Sequence, residues 1–295
     1  MYKLEGKGRT ALKKVSTHTL RTYKKEGRPI VVITAYDYPT AKLVDEAGVD
    51  VILVGDSLGN VILGYDSTIP VTIEDMVHHT KAVSRGVKQA LIVSDLPFLS
   101  YHGSFDHTLD ACRKLMQEGG AQAVKLEGGH EVAETVRRLT QAGVPVMGHL
   151  GLTPQSVYQL GGYRVQGKDM ASAQKIIADA KALEKAGVFA LVLECIPAPL
   201  AKEITDQVNV PTIGIGAGVQ CDGQVLVLHD MLGFGSEIKP KFVKTYAQVG
   251  QTIVAAVSQY AEEVRKRQFP EAQHSYSMDE DVLHQLYGTS GVNQT

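Results

Sequence analysis

Residues 121–149 read AQAVKLEGGHEVAETVRRLTQAGVPVMGH, and their rhythm decides the fold. A short apolar run, Ala121–Leu126, gives way to a stretch of helical period, Glu131–Ala142. Gln141-Ala-Gly143 closes that stretch, with glycine placed for a left-handed C-cap. A second apolar run, Val144–Gly148, begins at once. This is one strand–helix–strand unit. Strands that are apolar throughout are covered on both faces, as in a parallel sheet.

Working outward, the same unit recurs. Further strand-like runs are Ile30–Ala35, Val49–Val54, Ala90–Ser94, Val188–Leu193, Val210–Ile215 and Gln224–Leu228. Helical stretches between them are Pro39–Ala47, Ile73–Arg85, Phe105–Glu118, Met170–Ala186 and Pro199–Val208, and a long one, Pro240–Gln268, follows the last strand. Glu46-Ala-Gly48, Glu118-Gly-Gly120 and Lys185-Ala-Gly187 repeat the helix-ending punctuation. Between the last two strands, Ala217–Gly223 leaves room for one turn at most. About eight such units predict an α/β fold, a (β/α)8 TIM barrel, rather than an open doubly wound sheet. No linker interrupts them, so residues 29–276 read as one catalytic domain. Residues 1–28 read as a basic N-terminal helical segment, and residues 277–295 as a flexible polar tail.

Composition narrows the function. The chain has 295 residues, 44% hydrophobic and 21% charged, which suffices for a large core and excludes global disorder. Net charge is −2, yet residues 1–28 carry nine bases against Glu5 and Glu26, leaving the remainder strongly acidic. That body does not suit nucleic acid or an acidic membrane. The basic start resembles a transit peptide in charge, but a helix packing Leu12, Val15, Leu20 and Tyr23 on the body is favoured. No apolar run reaches membrane-span length and no apolar leader opens the chain. Cys112, Cys195 and Cys221 form no CxxC pair, which fits a reducing cytoplasm and argues against a cysteine-based zinc site.

The strand ends carry the chemistry. They read Asp37, Asp56-Ser57, Asp95, Lys125-x-Glu127, His149, Glu194 and Gly214-x-Gly216-x-Gly218. In a barrel these positions converge on one mouth. Alternation along each strand turns Lys125 and Glu127 inward together, and Glu194 with Val192. A single acid there is as readily a helix cap. Five crowded carboxylates repel one another unless a cation sits among them, and hard oxygen donors suit Mg²⁺, with Mn²⁺ as a substitute. His149 reads as a hydrogen-bonding pocket residue, and adjacent His78 and His79 as a packing pair. Gly216 and Gly218 read either as part of an anion-binding loop or, slightly favoured, as a tight turn. The glycine-rich stretch 159–167, with Tyr163 and Arg164 and with Tyr158 just before it, reads as a lid or wall.

Long motifs run in order through most of the chain. They include Thr34-Ala-Tyr-Asp-Tyr-Pro39, Val54-Gly-Asp-Ser-Leu-Gly59, Asp95-Leu-Pro-Phe98, Val124-Lys-Leu-Glu-Gly-Gly129, Gly148-His-Leu-Gly-Leu-Thr-Pro-Gln-Ser156, Gly161-Gly-Tyr-Arg-Val-Gln-Gly167, Leu193-Glu-Cys195 and His229-Asp230. From about Lys13 to Tyr276 the chain resembles the ketopantoate hydroxymethyltransferase family. The resemblance implies hydroxymethyl transfer from 5,10-methylenetetrahydrofolate to 3-methyl-2-oxobutanoate, giving 2-dehydropantoate through a Mg²⁺-stabilised enolate, in pantothenate and coenzyme A synthesis. It implies one Mg²⁺ per subunit held by Asp56, Asp95 and Glu127, oxo-acid contacts at Asp56, Ser57, Asp95 and Lys125, and Glu194 as catalytic base. It further implies a cytoplasmic homodecamer. Asn60, where methionine is common, and the tail beyond Tyr276 depart from the family pattern. Two rival readings are a Mg²⁺-dependent 2-oxo acid lyase on a related barrel, which needs no folate, and a non-catalytic oligomeric scaffold, which predicts gaps in the acid set.

Overall fold

The computed structural model describes residues 14–234 and 240–288. Eight parallel strands close into a barrel in chain order, β1 to β8. They are β1 Ile30–Thr34, β2 Val51–Val54, β3 Leu91–Asp95, β4 Ala123–Glu127, β5 Val146–Gly151, β6 Ala190–Glu194, β7 Thr212–Ile215 and β8 Gly223–Leu226. The (β/α)8 expectation holds, and the strand boundaries lie within three residues of the predicted runs.

Alternation divides the strands between two cores. Outward residues such as Ile92, Val124, Leu126 and Leu191 pack against the helices. Inward residues, among them Val51, Leu91, Val93, Ala123, Met147, Val192 and Ile213, fill the barrel. Helix α1, Thr17–Glu26, is not one of the surrounding helices. It plugs the barrel floor with Leu20, which is fully buried, and Val15 and Tyr23 pack beside it. Burying Leu20 contributes about 1.5–3 kcal/mol. Ser16 caps the helix, and the Lys24 ammonium pins it at 2.8 Å from Asp222. Leu12, predicted to join this contact, lies outside the described residues.

The longer helices between strands are α2 Tyr38–Glu46, α3 Ile73–Gly86, α4 Phe105–Arg113, α5 Ala133–Gln141, α6 Met170–Ala186 and α7 Ala198–Gln207. Thr72 and Asp169 close capping boxes on α3 and α6. The expected helix to Glu118 changes pitch after Arg113, finishing in one π turn, Lys114–Glu118.

The C-terminal third departs most from expectation. After β8, Leu228–Leu232 forms a short helix, α8, and the Leu228 N–H bonds to Thr34 Oγ1 at 3.0 Å. The predicted helix from Pro240 begins only at Val249. Val243 is buried and Phe242 packs on the barrel interior, while the Tyr246 N–H donates to Met231 O, so 240–248 runs as a strap. Helix α9, Val249–Arg265, then leaves the body with no residue buried. Ile253, Val257, Tyr260 and Val264 form an exposed apolar stripe on it, spaced at i, i+4, i+7 and i+11. Part of the stretch expected to be a flexible tail is helical: α10, Glu280–Tyr287, capped by Asp279 and exposed throughout.

Candidate active site

Strand register builds the site. Asp95 on β3 lies beside Lys125 on β4, and Glu127 beside His149 on β5. Inward side chains on neighbouring strands therefore meet. Lys125 Nζ is 2.7 Å from Asp95 Oδ1. His149 Nδ1 is 3.3 Å from Glu127 Oε1, and its Nε2 is 3.3 Å from Glu194 Oε2. Neither contact of the imidazole is aligned as a hydrogen bond. Asp56 follows β2, and its backbone N–H donates to Asp95 Oδ2 at 3.1 Å. The Ser57 hydroxyl is 2.8 Å from the Tyr36 hydroxyl.

Asp56, Asp95, Glu127, Lys125 and His149 are all buried. Only Glu194 among these acids keeps appreciable solvent contact, with 15% of its side chain open. Burial together with the charges of Asp95 and Glu127 pushes the Asp56 carboxyl well above the usual carboxylate range. Burial works against the Lys125 ammonium, but Asp95, Glu127 and Asp56 outweigh it and raise its pKa, holding it charged. His149 follows the same logic: burial lowers its pKa, and the Glu127 and Glu194 carboxylates carry it up to about 9.

Two residues with no predicted role complete the network. Gln155, just beyond β5, donates its backbone N–H to Glu127 Oε2 at 3.0 Å. Its Nε2 donates to Asp56 Oδ2 at 2.8 Å and to Leu96 O at 2.9 Å. The Tyr101 hydroxyl donates to Gln155 Oε1 at 2.6 Å and accepts from the Glu127 N–H at 3.3 Å. Gln155 sits in the Thr-Pro-Gln-Ser motif, but a neutral amide carries no charge signal, and Tyr101 lies in a loop with no periodicity to place it.

Other predicted residues resolve differently. Asp37 caps α2, accepting the Thr40 N–H at 2.8 Å, and stays outside the cluster. Gly216 and Gly218 form a packed turn. A Cβ on Gly216 would meet the Phe242 ring at 2.8 Å, and one on Gly218 the Ala198 Cβ at 2.5 Å. This is the tight-turn reading, and the space above these glycines is filled by protein. The loop with Tyr163 borders the mouth: the Gln166 N–H bonds to Cys195 O, and burial with the charges of Asp56 and Glu194 raises the Tyr163 pKa. His79 Nδ1 contacts Tyr36 O at 2.6 Å, and its ring stands at 84° to that of His78. A cavity of about 880 Å³ opens beside Glu127 and Gln155, walled by Phe98, Tyr101, Leu150 and Tyr158.

The fit to a divalent ion has two sides. Among the described residues, no three Asp, Glu, His or Cys side chains converge closely enough to hold one ion together. The expected three-carboxylate ligand set is therefore not assembled. Glu127 is turned toward the Gln155 N–H, which bonds to its Oε2, and toward the His149 ring, which lies 3.3 Å from its Oε1. Asp56 and Asp95 remain as a linked pair. Asp95 Oδ1 is buried and takes no aligned hydrogen bond, even with Lys125 close by. A buried pair of hard oxygen donors fits Mg²⁺, which keeps several waters and binds through one or two carboxylates plus substrate.

A closed (β/α)8 barrel whose strand ends gather buried acids around one lysine defines the class: a barrel enzyme with its site at the C-terminal mouth. Residues 14–272 match the family model described as ketopantoate hydroxymethyltransferase. The chain belongs to that family and is an enzyme of it. It is 59% identical over 266 residues to the 3-methyl-2-oxobutanoate hydroxymethyltransferase of Thermoanaerobacter sp. (strain X514), covering 90% of this chain and 97% of that one. It is 57% identical over 274 residues to the enzyme of the same name from Carboxydothermus hydrogenoformans, covering 93% and 99%. Among solved structures, phosphonopyruvate hydrolase complexed with oxalate and Mg²⁺ shares the fold at TM-score 0.58 and 13% identity, covering 92% of this chain and 94% of that one. A 2,3-dimethylmalate lyase of the PEP mutase/isocitrate lyase superfamily does so at TM-score 0.55 and 15% identity, covering 93% and 92%. No described helix is long and apolar enough to cross a membrane.

Proposed function

We propose that the chain transfers a hydroxymethyl unit from 5,10-methylenetetrahydrofolate to 3-methyl-2-oxobutanoate, giving 2-dehydropantoate, with one Mg²⁺ per subunit. The observation that carries this is the buried Asp56–Asp95 pair at the family's motif positions, at the same strand ends as the more open Glu194. Asp56 and Asp95 would hold the ion, with Glu127 behind them. When bound, Mg²⁺ would polarise the 2-oxo group and acidify the adjacent C–H.

The chain's own groups do the rest. Glu194 takes the proton from the substrate carbon, and its solvent-touching carboxylate is the acid best placed to reach a ligand in the mouth. His149 keeps that carboxylate turned inward. Lys125 supplies the positive charge that offsets the substrate carboxylate. Ser57, steadied by Tyr36, donates a hydrogen bond to the oxo acid. Val93 and Val192 line the barrel beneath and suit the substrate's methyl groups. The deprotonated carbon then forms its new C–C bond to the methylene carbon of the folate. Both C–N bonds of that carbon break, water supplies the hydroxyl, and tetrahydrofolate leaves with its two nitrogens protonated by the proton taken from the substrate and one from the water. The adjoining cavity has room for a donor of folate size.

The unburied stripe of α9 supports self-association, and the family resemblance points to a homodecamer in the cytoplasm. Neither nucleic acid nor a membrane is proposed as a partner. The test is mass spectrometry of 3-methyl-2-oxobutanoate with methylenetetrahydrofolate, with and without EDTA. The expected result is a product extended by one hydroxymethyl unit that disappears on chelation and returns with Mg²⁺. Cleavage of a 2-oxo acid without folate would instead favour the lyase reading.

A further inference from the structure

Gln155 is nearly fully buried, yet every polar atom of its side chain has a partner. Its amide can face only one way. Nε2 meets two acceptors, Asp56 Oδ2 and Leu96 O, while Oε1 meets a donor, the Tyr101 hydroxyl. A reversed amide would set an oxygen against two oxygens. Tyr101 is in turn fixed from the other side by the Glu127 N–H. Among the described residues, no donor reaches Asp56 Oδ1.

We propose that Gln155 is a positioning residue: it commits Asp56 Oδ2 to the protein and so presents Oδ1 to the divalent ion, with Tyr101 setting the amide's orientation. This rests on the metal-dependent reading above. Gln155 does not touch the reacting atoms in this account. It acts through Asp56, as outer-shell hydrogen bonds orient metal ligands elsewhere. Its backbone N–H to Glu127 is independent of the side chain, so a side-chain variant keeps the loop's anchor.

The experiment measures Mn²⁺ binding to the full chain without substrates, by electron paramagnetic resonance, for the parent, Gln155→Leu and Tyr101→Phe. Gln155→Leu is expected to weaken Mn²⁺ about tenfold or more, and Tyr101→Phe to weaken it less, in the same direction. In turnover, the Mg²⁺ concentration for half-maximal rate should rise while kcat at saturating Mg²⁺ largely recovers. A purely structural role would lower kcat at every Mg²⁺ concentration and leave Mn²⁺ affinity of the folded protein unchanged. Binding within twofold of the parent in both variants overturns the inference and leaves the metal reading standing. A parent that binds no Mn²⁺ overturns the metal reading, and this inference with it. If Gln155→Leu does not fold, Tyr101→Phe alone decides.

Discussion

Replacing Asp95 with Asn is expected to lower kcat/KM by about a thousandfold or more while the barrel stays folded. The side chain has two jobs. Oδ2 accepts the Asp56 N–H, and Oδ1 faces Lys125 at 2.7 Å. Asparagine keeps the shape and one acceptor, so the backbone contact can persist. It removes one of the two charges that would hold the ion and turns an amide toward an ammonium. Lys125 retains Glu127 and Asp56 as counter-charges, which limits the cost of leaving a buried cation partly unpaired. Steady-state kinetics with Mg²⁺, beside a circular dichroism melt, reads both quantities. Activity within tenfold of the parent would remove Asp95 from the ion's ligands.

Glu194→Gln should cost about 10²–10⁴ in kcat with little change in Mn²⁺ affinity. The two effects separate because Glu194, on β6 and three strands from Asp95, contacts His149 and is not one of the two carboxylates proposed to hold the ion. Glutamine keeps the length of the side chain and loses the base. The step can be isolated from the donor by following exchange of the C3 hydrogen of 3-methyl-2-oxobutanoate in D₂O by NMR, without folate. Parent enzyme with Mg²⁺ should exchange it, and Glu194→Gln should not. Exchange at the parental rate in the variant would move the base elsewhere.

Much of this arrangement is legible in the sequence. Parallel strands read clearly because they are apolar on both faces, and glycine stops such as Gly143 and Gly187 mark where helices end. Alternation placed Lys125 and Glu127 inward, and they are. The meeting of Asp95 with Lys125, and of Glu127 with His149, depends on register between strands, which no single strand's pattern contains. Asp37 misled because a cap and a ligand look alike at a strand end, and only the Thr40 N–H distinguishes them. Gln155 was invisible because its importance lies in orientation rather than charge. The late start of α9 escaped because Phe242 and Val243 are called away to the barrel, a tertiary demand that overrides helical period.

Helix α9 bears on how stable the molecule is at all. A lone chain leaves Ile253, Val257, Tyr260 and Val264 in water, so if the proposed self-association covers them, part of the folding free energy comes from meeting another copy. The melting midpoint should then climb with protein concentration, as calorimetry over a hundredfold dilution series would show. Dilution would weaken the fold itself, and a midpoint indifferent to dilution would mean the barrel stands without its neighbours.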